Sequence, residues 1–398
     1  MTQAAAPIYM DNHATTRVDP RVVEAMLPWF TEAYGNAASA THLFGWRAKE
    51  AVDRARESVA AAIGAKSKEI VFTSGATESN NLAIRGVAEL SRRKGNHIVS
   101  VATEHSAVLD PLDKLIARGY EVTLLPVIQA PDARAGRILP EQVAEAIRSD
   151  TILVSVMLAN NEIGVIQPLE EIGRICHERE VLLHSDATQA VGRIPVDVQR
   201  LRVDLMSFTA HKIYGPKGAG ALYVRRKAPH VRLEPQMLGG GHESGLRSGT
   251  LNVPGIVGLA CALELCREEM ASESRRLAEL RDRLYHGITA ALPDVVLNGP
   301  ALSPELRLAG NLNLRFAYVE GESLLLSMRE VALSSGSACS SARPGPSHVL
   351  RALGLSEEQA RSSVRFGLGR FNTTEEVEFV VEAIREAVTR LRKMSSLA

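Results

Sequence analysis

The sequence predicts an α/β protein: a large domain with a mainly parallel sheet flanked by helices, and a smaller α+β domain. Three observations support this prediction. At 398 residues the chain exceeds the usual size of a single hydrophobic core. Short apolar segments alternate with helical patterns over the first two thirds, which is typical of βαβ units. Segments such as 152–157 are almost continuously apolar, as expected for strands covered on both faces of a sheet.

The elements of the large domain follow one another in a regular order. Strands are predicted, in chain order, at 70–73, 97–101, 120–125, 152–157, 181–184, 205–208 and 220–224. Helices are predicted at 77–94, which Gly95 can cap, at 110–118, where Asp110 and Pro111 offer a start, and at 169–180. A helix therefore follows three of the strands, and this order favours parallel strand pairing.

The last third of the chain combines longer helices with a few short strands. These elements are a helix-rich stretch at 254–292, strands at 312–316 and 364–367, and a long helix at 374–392. We predict that residues 16–260 form the large domain, and that residues 1–15 together with 261–398 form the small domain. The long helices are expected to connect the two domains.

Charge and cysteine content argue against several classes of function. Lys and Arg together number 46, as do Asp and Glu, so the formal net charge is zero at pH 7. That balance argues against a dedicated surface for nucleic acid or for an anionic membrane. The first residues resemble neither a secretory signal nor a transit peptide. The four cysteines have no spacing typical of metal ligands, and so few cysteines predict a cytoplasmic protein of a reducing compartment.

Polar residues follow five of the predicted strands at the point where each strand ends. They are Thr77, His105, Asn161, Asp186 with Gln189, and His211 with Lys212. Open parallel sheets bind ligands at the carboxyl ends of their strands, so we expect these side chains to share one site. The joint pattern is more specific than any single member, because the segment 74–77 (SGAT) alone is found in many plain strand-to-helix turns.

Each residue type in this set has a physical task if the ligand is pyridoxal phosphate. Backbone N–H groups from Gly75 to Thr77, at the start of a helix, suit a phosphate. Lys212 offers the amine that the cofactor aldehyde requires, although most lysines simply lie on the surface. Asp186 can keep the pyridine nitrogen protonated, although an aspartate at a strand end often only caps the next turn. For each residue taken singly, both interpretations stay open.

Longer motifs around these residues resemble the NifS/IscS-type cysteine desulfurases, which belong to the class V aminotransferase branch of the fold-type I pyridoxal-phosphate enzymes. The matching segments are 205–223 (LMSFTAHKIYGPKGAGALY), 72–81, 160–164, 186–189, 239–252 and 334–342. The resemblance extends from about Ile8 to about Ser396. It implies the fold-type I transferase fold and a pyridoxal-phosphate-dependent cysteine desulfurase that acts on L-cysteine.

The resemblance also implies a role for each matching residue of the cofactor site. Lys212 corresponds to the Schiff-base lysine, and Asp186 to the partner of the pyridinium nitrogen. His105 corresponds to the histidine that stacks on the ring and assists proton transfer. The other implied cofactor contacts are Ala76, Thr77, Asn161, Gln189, Thr209 and His211.

Two further residues are implied in substrate binding and in assembly. Arg365 corresponds to the arginine that binds the substrate carboxylate, where a planar guanidinium suits two parallel hydrogen bonds. Asn161 corresponds to a neighbour of both cofactor and substrate. Thr250 corresponds to a threonine that reaches the phosphate in the other subunit, which implies a homodimer with shared active sites.

Cys339 lies in a segment, 334–347, that is crowded with Ser, Gly and Pro and that we predict to be a mobile loop. Cys176, Cys261 and Cys266 instead lie in helical patterns, where a cysteine usually only packs. An exposed thiol near a cationic site is a candidate nucleophile. The resemblance, here to the long-loop group of the family, implies that Cys339 receives sulfur as a persulfide and passes it to acceptors such as an iron–sulfur scaffold protein.

The chain departs from the family pattern at two places, and two other functions stay open. Ser106 stands where relatives often have lysine, and 342–347 reads ARPGPS where relatives commonly read ASLEPS. The second difference predicts altered docking of the sulfur acceptor.

The open alternatives are another enzyme on this scaffold, such as an aminotransferase or a selenocysteine lyase, and a non-catalytic assembly subunit. A persulfide on Cys339 separates the desulfurase from an aminotransferase, and bound cofactor with sulfide release separates it from a non-catalytic subunit.

Overall fold

The structure is a computed structural model that describes residues 7–227, 230–335 and 345–394. Cys339 lies outside these described residues. The helices are α1 Pro20–Met26, α2 Pro28–Thr31, α3 Leu43–Ala62, α4 Ala76–Ser91, α5 Ser106–Ile116, α6 Pro140–Ala146, α7 Leu169–Glu178, α8 Val253–Ala291, α9 Gly321–Ser327, α10 His348–Ala352, α11 Glu357–Arg361 and α12 Thr374–Met394. The strands are β1 Ile8–Tyr9, β2 Ile70–Thr73, β3 His97–Val101, β4 Glu121–Leu125, β5 Thr151–Ser155, β6 Leu182–Asp186, β7 Leu205–Thr209, β8 Gly220–Val224, β9 Val295–Leu297, β10 Asn311–Phe316, β11 Val331–Ala332, β12 Ser334–Ser335 and β13 Ser363–Gly367.

Seven strands form the main sheet, in the order β2-β8-β7-β6-β5-β3-β4. The strands from β7 to β4 pair in parallel, whereas β8 is antiparallel to both β7 and β2. Because two reversals separate β2 from β7, the carboxyl end of β2 lies at the same edge as those of the parallel strands. The predicted α/β fold with a mainly parallel sheet is confirmed.

Both faces of the main sheet are covered by apolar side chains. Neighbouring residues of one strand enter different hydrophobic clusters: Ile98 and Leu153 lie in one, and Val99 and Val154 lie in the other. This alternation follows from the two-residue period of a strand. It explains why the strands read as almost continuously apolar segments in the sequence.

The start of α5 differs from the prediction. A start near Asp110 was expected, but the helix begins at Ser106 because the side chain of His105 accepts a hydrogen bond from the Ala107 N–H and caps it. Pro111 consequently lies inside the helix.

The helix-rich stretch before the small strands is one helix, α8, with 39 residues. Within the described ranges, no helix combines the length and the apolar composition that crossing a membrane requires.

A second hydrophobic core lies apart from the main sheet. It contains Met10, residues of β10, β13 and α12, and Leu284 and Ile288 from the C-terminal half of α8. Strands β12, β13, β10 and β9 form an antiparallel sheet in that order. The first half of α8, including Leu259, packs into a core of the main sheet. Helix α8 thus joins the two cores, while the domain boundary near residue 260 stays a prediction.

A buried polar relay crosses three strands of the main sheet. His184 in β6 lies fully buried, with Nδ1 2.8 Å from Ser155 Oγ in β5 and Nε2 3.0 Å from Ser207 Oγ in β7. Both nitrogens of the neutral His184 ring are thereby hydrogen-bonded. Burial lowers the pKa of His184 from 6.5 to about 4, because the charged form would lose its hydration.

Acid is therefore expected to destabilise the fold through His184. The unfolded chain binds a proton near pH 6.5 and the folded chain only near pH 4, so this contribution is complete above pH 6.5 and is lost as the pH falls towards 4. Between pH 7 and pH 5 the loss amounts to about 2 kcal/mol. Urea unfolding should show the full pH-dependent loss in the wild type and in His286→Gln, an exposed control, and a smaller loss in His184→Gln, where other buried histidines such as His13 still contribute. An unchanged pH slope in His184→Gln would contradict the assignment.

Candidate active site

A cleft of about 660 Å³ lies at the carboxyl edge of the main sheet. Its lining includes the predicted residues Ala76, Thr77, His105, Asn161, Asp186, Gln189, Thr209, His211 and Lys212. They follow the ends of five different strands, so the position of the cleft results from the sheet topology. Arg365 and Thr250 are not part of this lining.

The start of α4 forms one wall of the cleft. Gly75 is the N-cap and supplies no side-chain hydrogen bond, so the first backbone N–H groups of the helix stay available for an anion. A Cβ at Gly220 in β8 would lie 2.6 Å from the Cα of Gly75, so the close packing of these segments requires glycine. Thr209 Oγ1, which donates to the Ala219 carbonyl at 3.0 Å, lies beside Gly75. This wall suits a phosphate group.

Asp186 ends β6, lines the cleft and is almost fully buried. The Thr188 N–H donates to its Oδ1 at 2.9 Å, and Asn80 Nδ2 donates to its Oδ2 at 2.7 Å. These two hydrogen bonds hold both oxygens of the Asp186 side chain in place. Asn80 was not predicted as a site residue, because only the packing of α4 against the sheet brings it to Asp186.

Lys212 follows β7 on a short 3₁₀ turn, Ala210–Lys212, and its side chain is buried. Its Nζ donates to the backbone carbonyls of His13 and Ala14, each at 2.6 Å. Both carbonyls belong to the segment after β1, which the sequence analysis did not connect with the site. The Lys212 amine is thus held in the cleft by two hydrogen bonds to carbonyl groups. These hydrogen bonds can break when the amine binds a different group.

His13 is fully buried between the amide of Gln189 and the guanidinium of Arg193. Gln189 Nε2 donates to the His13 carbonyl at 3.0 Å, and its Oε1 lies 3.0 Å from His13 Nδ1. Arg193 Nη1 lies 2.8 Å from the same nitrogen, and its Nη2 donates to the carbonyls of Asn12 and Lys212. Burial and the positive charge of Arg193 hold the pKa of His13 well below its ordinary value. Through these hydrogen bonds, neutral His13 and its partner Arg193 link Gln189 and the backbone of Lys212 to the N-terminal segment.

His105 presents one ring nitrogen to its own helix. Its Nδ1 accepts from the Ala107 N–H at 3.0 Å, so the proton of the neutral ring lies on Nε2. The preceding Glu104 is fully buried and accepts from the Met157 N–H at 2.6 Å. Burial raises the pKa of Glu104 well above its ordinary value. Because Nδ1 of His105 accepts the hydrogen bond that caps α5, a proton can reach or leave this ring only through Nε2 while the cap is intact.

Arg365 lies in β13 and is completely buried beside the cleft. Its Nη1 donates to the carbonyl of Asn161 at 3.2 Å, and its Nη2 forms an ion pair with Asp11 Oδ1 at 2.7 Å. Among the described residues, Nε has no hydrogen-bond partner. Arg365 is thus linked to the cleft through Asn161 and keeps donor capacity for a further anion. Asp11, its partner, was missed by the sequence analysis.

The described residues on either side of segment 336–344 are tied to the site. Strand β12, directly before the segment, pairs with β13 beside Arg365. After the segment, Ser347 Oγ donates to Glu162 Oε2, and Glu162 is next to Asn161 of the cleft lining. Both ends of the segment that contains Cys339 are therefore anchored next to the cleft.

Thr250 is exposed within its own chain. Nearby, Arg247 Nε donates at 2.8 Å to Glu78, which lies in the first turn of α4 and lines the cleft. The segment before Thr250 is thereby fixed to the wall that suits a phosphate. The contribution of Thr250 to a second subunit stays a prediction.

Comparison with known sequences identifies the class of protein that this fold and cleft define. The family model of the class V aminotransferases matches residues 8–380. A cysteine desulfurase IscS from Anaeromyxobacter dehalogenans is 58% identical over 391 residues, which cover 98% of this chain and 95% of the relative. The human cysteine desulfurase is 53% identical, with coverage of 98% of this chain and 84% of the relative. The chain therefore belongs to the class V aminotransferase family and, within it, to the cysteine desulfurases.

Solved structures lead to the same group. A NifS-like protein matches with a TM-score of 0.87 at 38% identity, covering 96% of this chain and 100% of its own. SspA, solved in complex with cysteine, matches with a TM-score of 0.79 at 37% identity, covering 92% of this chain and 100% of its own. The resemblance seen in the sequence, the fold-type I architecture and the class of pyridoxal-phosphate-dependent enzyme are confirmed.

The residues of the cleft fit pyridoxal phosphate, the cofactor of this family. The free helix start at Gly75 fits the phosphate. The Asp186 carboxylate, held by two donors, fits a protonated ring nitrogen. The Lys212 amine fits the aldehyde. One cleft thus offers a matching group for the phosphate, the ring nitrogen and the aldehyde of the cofactor.

Proposed function

We propose that this protein converts L-cysteine to L-alanine and transfers the sulfur to Cys339 as a persulfide, with pyridoxal phosphate as cofactor. The observation that carries the proposal is the meeting of Lys212, Asp186 and the free start of α4 in one cleft. The cysteine complex of the structural relative SspA supports L-cysteine as the substrate. Iron–sulfur scaffold proteins and other sulfur carriers are the acceptors that this activity would serve.

Each residue of the cleft has a distinct task in this proposal. When bound, pyridoxal phosphate supplies an aldehyde that binds the cysteine amino group and a ring that withdraws electrons from its Cα. Asp186 holds a proton at the ring nitrogen. Lys212 Nζ, released from the His13 and Ala14 carbonyls, removes the proton from Cα. The phosphate is bound by Ala76, Thr77, Thr209 and His211, the ring oxygen by Gln189, and the ring and substrate by His105 and Asn161.

Cys339 supplies the nucleophile for sulfur transfer. Its thiolate attacks Sγ of the substrate, a bond forms between the two sulfur atoms, and the bond between Sγ and Cβ breaks. The electron pair stays with the carbon, which takes up a proton and yields alanine, so carbon is reduced while sulfur is oxidised. Cys339 lies four positions after Ser335, and four Cα-to-Cα steps span at most about 14 Å. The anchoring of β12 beside Arg365 supports delivery of this thiol to the cleft.

The direct test is product analysis with the purified holoenzyme. With cysteine and a thiol reductant, we expect alanine and sulfide in equal amounts. A 2-oxo acid with amination of the cofactor would instead indicate an aminotransferase, and the absence of any product from cysteine would contradict the proposal. Comparison of rates with cysteine and selenocysteine would separate the desulfurase from a selenocysteine lyase.

Arg365 is expected to bind the substrate carboxylate. Arg365→Leu should raise KM for cysteine by about 100-fold, because two charge-assisted hydrogen bonds are lost. Arg365→Lys should recover part of this loss, since lysine keeps the charge but not the planar fork. Arg361→Leu, which removes an exposed ion pair with Glu357, is the control. Wild-type KM in Arg365→Leu would exclude this role.

A second copy of the chain is the expected partner, and Thr250 is expected to bind phosphate in its site. Exposed large apolar side chains between residues 27 and 46 support such an interface. They are Leu27, Phe30, Tyr34, Leu43, Phe44 and Trp46. Burial of such side chains between subunits is the usual source of dimer stability.

Mixed dimers test the sharing of sites. A dimer of one Thr250→Ala subunit and one Lys212→Ala subunit keeps one intact site if Thr250 acts across the interface, and none if it acts within its chain. Half of the wild-type turnover per dimer is therefore expected. The matched control pairs a wild-type subunit with one that carries both substitutions, where phosphate affinity should fall by about 10-fold or more. The reverse outcome in the two dimers would contradict the sharing.

A further inference from the structure

Asn80 connects two walls of the site and was not among the predicted site residues. It lies near the start of α4 and is fully buried. Its Nδ2 donates to Oδ2 of Asp186 at 2.7 Å. The helix whose start suits the phosphate is thus hydrogen-bonded to the carboxylate that ends β6.

The other end of the same amide is unsatisfied. Among the described residues, Oδ1 of Asn80 is buried without a hydrogen-bond partner. An unpaired buried polar atom costs free energy, and a leucine of similar volume would avoid that cost if packing were the only requirement. The orientation of the amide therefore indicates a task at Asp186.

We propose that Asn80 is a positioning residue for the cofactor: its N–H fixes the rotation of the Asp186 carboxylate, which holds the proton on the ring nitrogen. The Thr188 N–H already binds the other oxygen of Asp186 at 2.9 Å, so both oxygens are held and the carboxylate cannot turn. The inference rests on the proposed function, which assigns Asp186 to the ring nitrogen.

Loss of this hydrogen bond has a defined consequence. Without the Asn80 amide, the Asp186 carboxylate can turn and no longer holds the shared proton at the ring nitrogen. A ring without that proton withdraws fewer electrons from Cα, so kcat falls. Substrate binding depends on other residues, such as Arg365, so KM stays unchanged. A misfolded fraction would also lower the apparent kcat at unchanged KM, so kcat is expressed per bound cofactor and is compared with the absorbance titration of the folded holoenzyme.

Three variants form the test. Asn80→Leu removes both polar atoms at nearly constant volume. Asn80→Asp can donate only while its carboxyl group carries a proton. Asn81→Leu is the matched control, because Asn81 lies next on α4 and, within the part of the chain that the structure describes, its amide donates only to the backbone carbonyl of Thr77 at 3.0 Å.

The first measurement uses holoenzyme without substrate, so that it does not depend on turnover. The visible absorbance of the bound cofactor is followed against pH, and the dissociation constant of pyridoxal phosphate is measured by titration of the apoprotein. We expect Asn80→Leu to shift the absorbance titration and to lower kcat by about 10-fold at unchanged KM. Asn80→Asp should approach the wild type at low pH and should be more impaired than Asn80→Leu at high pH, where its carboxylate repels that of Asp186. Asn81→Leu should behave as the wild type.

Wild-type absorbance titration and kcat in a folded Asn80→Leu protein would overturn the proposal. Equal losses in Asn80→Leu and Asn81→Leu would also overturn it, because they would reflect a general disturbance of α4. If the wild-type enzyme released no alanine from cysteine, the proposed function would fail, but the substrate-free absorbance titration would still decide the role of Asn80.

Discussion

Replacing Lys212 with alanine is expected to lower kcat for cysteine by about 10⁴-fold, because the change removes the base that takes the proton from Cα. The same change removes the amine that binds the cofactor aldehyde, so pyridoxal phosphate should dissociate on gel filtration at low concentration. The structure supports both effects, since Nζ is the amine held in the cleft by the His13 and Ala14 carbonyls. Product assays and cofactor absorbance measure them separately.

Lys49→Ala is the matched control, because Lys49 is exposed and forms a surface ion pair with Asp53. It should keep wild-type kcat and cofactor content. Added small amines should restore part of the activity of Lys212→Ala, since they can replace the missing base. If Lys212→Ala retained tightly bound cofactor and more than a tenth of wild-type kcat, the assignment of Lys212 would be wrong.

Replacing Cys339 with serine is expected to remove sulfide release while leaving the early steps intact. The hydroxyl group is a much weaker nucleophile than a thiolate, so transfer of sulfur should slow by several orders of magnitude. Cysteine should still bind and still change the absorbance of the cofactor, because Lys212, Asp186 and Arg365 are untouched. Stopped-flow absorbance after mixing with cysteine measures the early steps, and a sulfide assay measures the late one.

The other cysteines provide the control for this prediction. Cys261 in α8 is half-buried, and burial raises the pKa of its thiol, so Cys261→Ser should retain wild-type sulfide release. Cys176 and Cys266 are buried within helices, as predicted from the sequence, and burial raises the pKa of both thiols as well. Undiminished sulfide release by Cys339→Ser would mean that sulfur leaves the substrate without the Cys339 thiol.

The parts of the fold that follow from local patterns could be predicted from the sequence. Residues 70–73, 97–101 and 220–224 are strands as predicted, because each is an apolar segment bounded by turn residues or helix starts. The cleft could also be predicted, since parallel strands place Asp186 and Lys212 at a common edge.

The contacts that depend on tertiary packing could not be predicted in this way. His13 and Asp11 lie in the N-terminal segment, far along the chain from Lys212 and Arg365, and no local pattern relates them to those partners. The cap that starts α5 at Ser106 was also missed, because histidine is an unusual N-cap and Asp110 with Pro111 offered a more familiar one. In each case a specific side-chain or backbone contact decided the outcome.

Mass spectrometry of the protein after one turnover with sulfur-labelled cysteine tests the central claim most directly. The holoenzyme is mixed with the labelled substrate without reductant, trapped with an alkylating reagent and digested. The account predicts one labelled sulfur atom on the peptide that contains Cys339, formed together with one equivalent of alanine, and no labelled peptide from Cys339→Ser. Label on a different cysteine, or alanine formed without any labelled cysteine, would contradict the account.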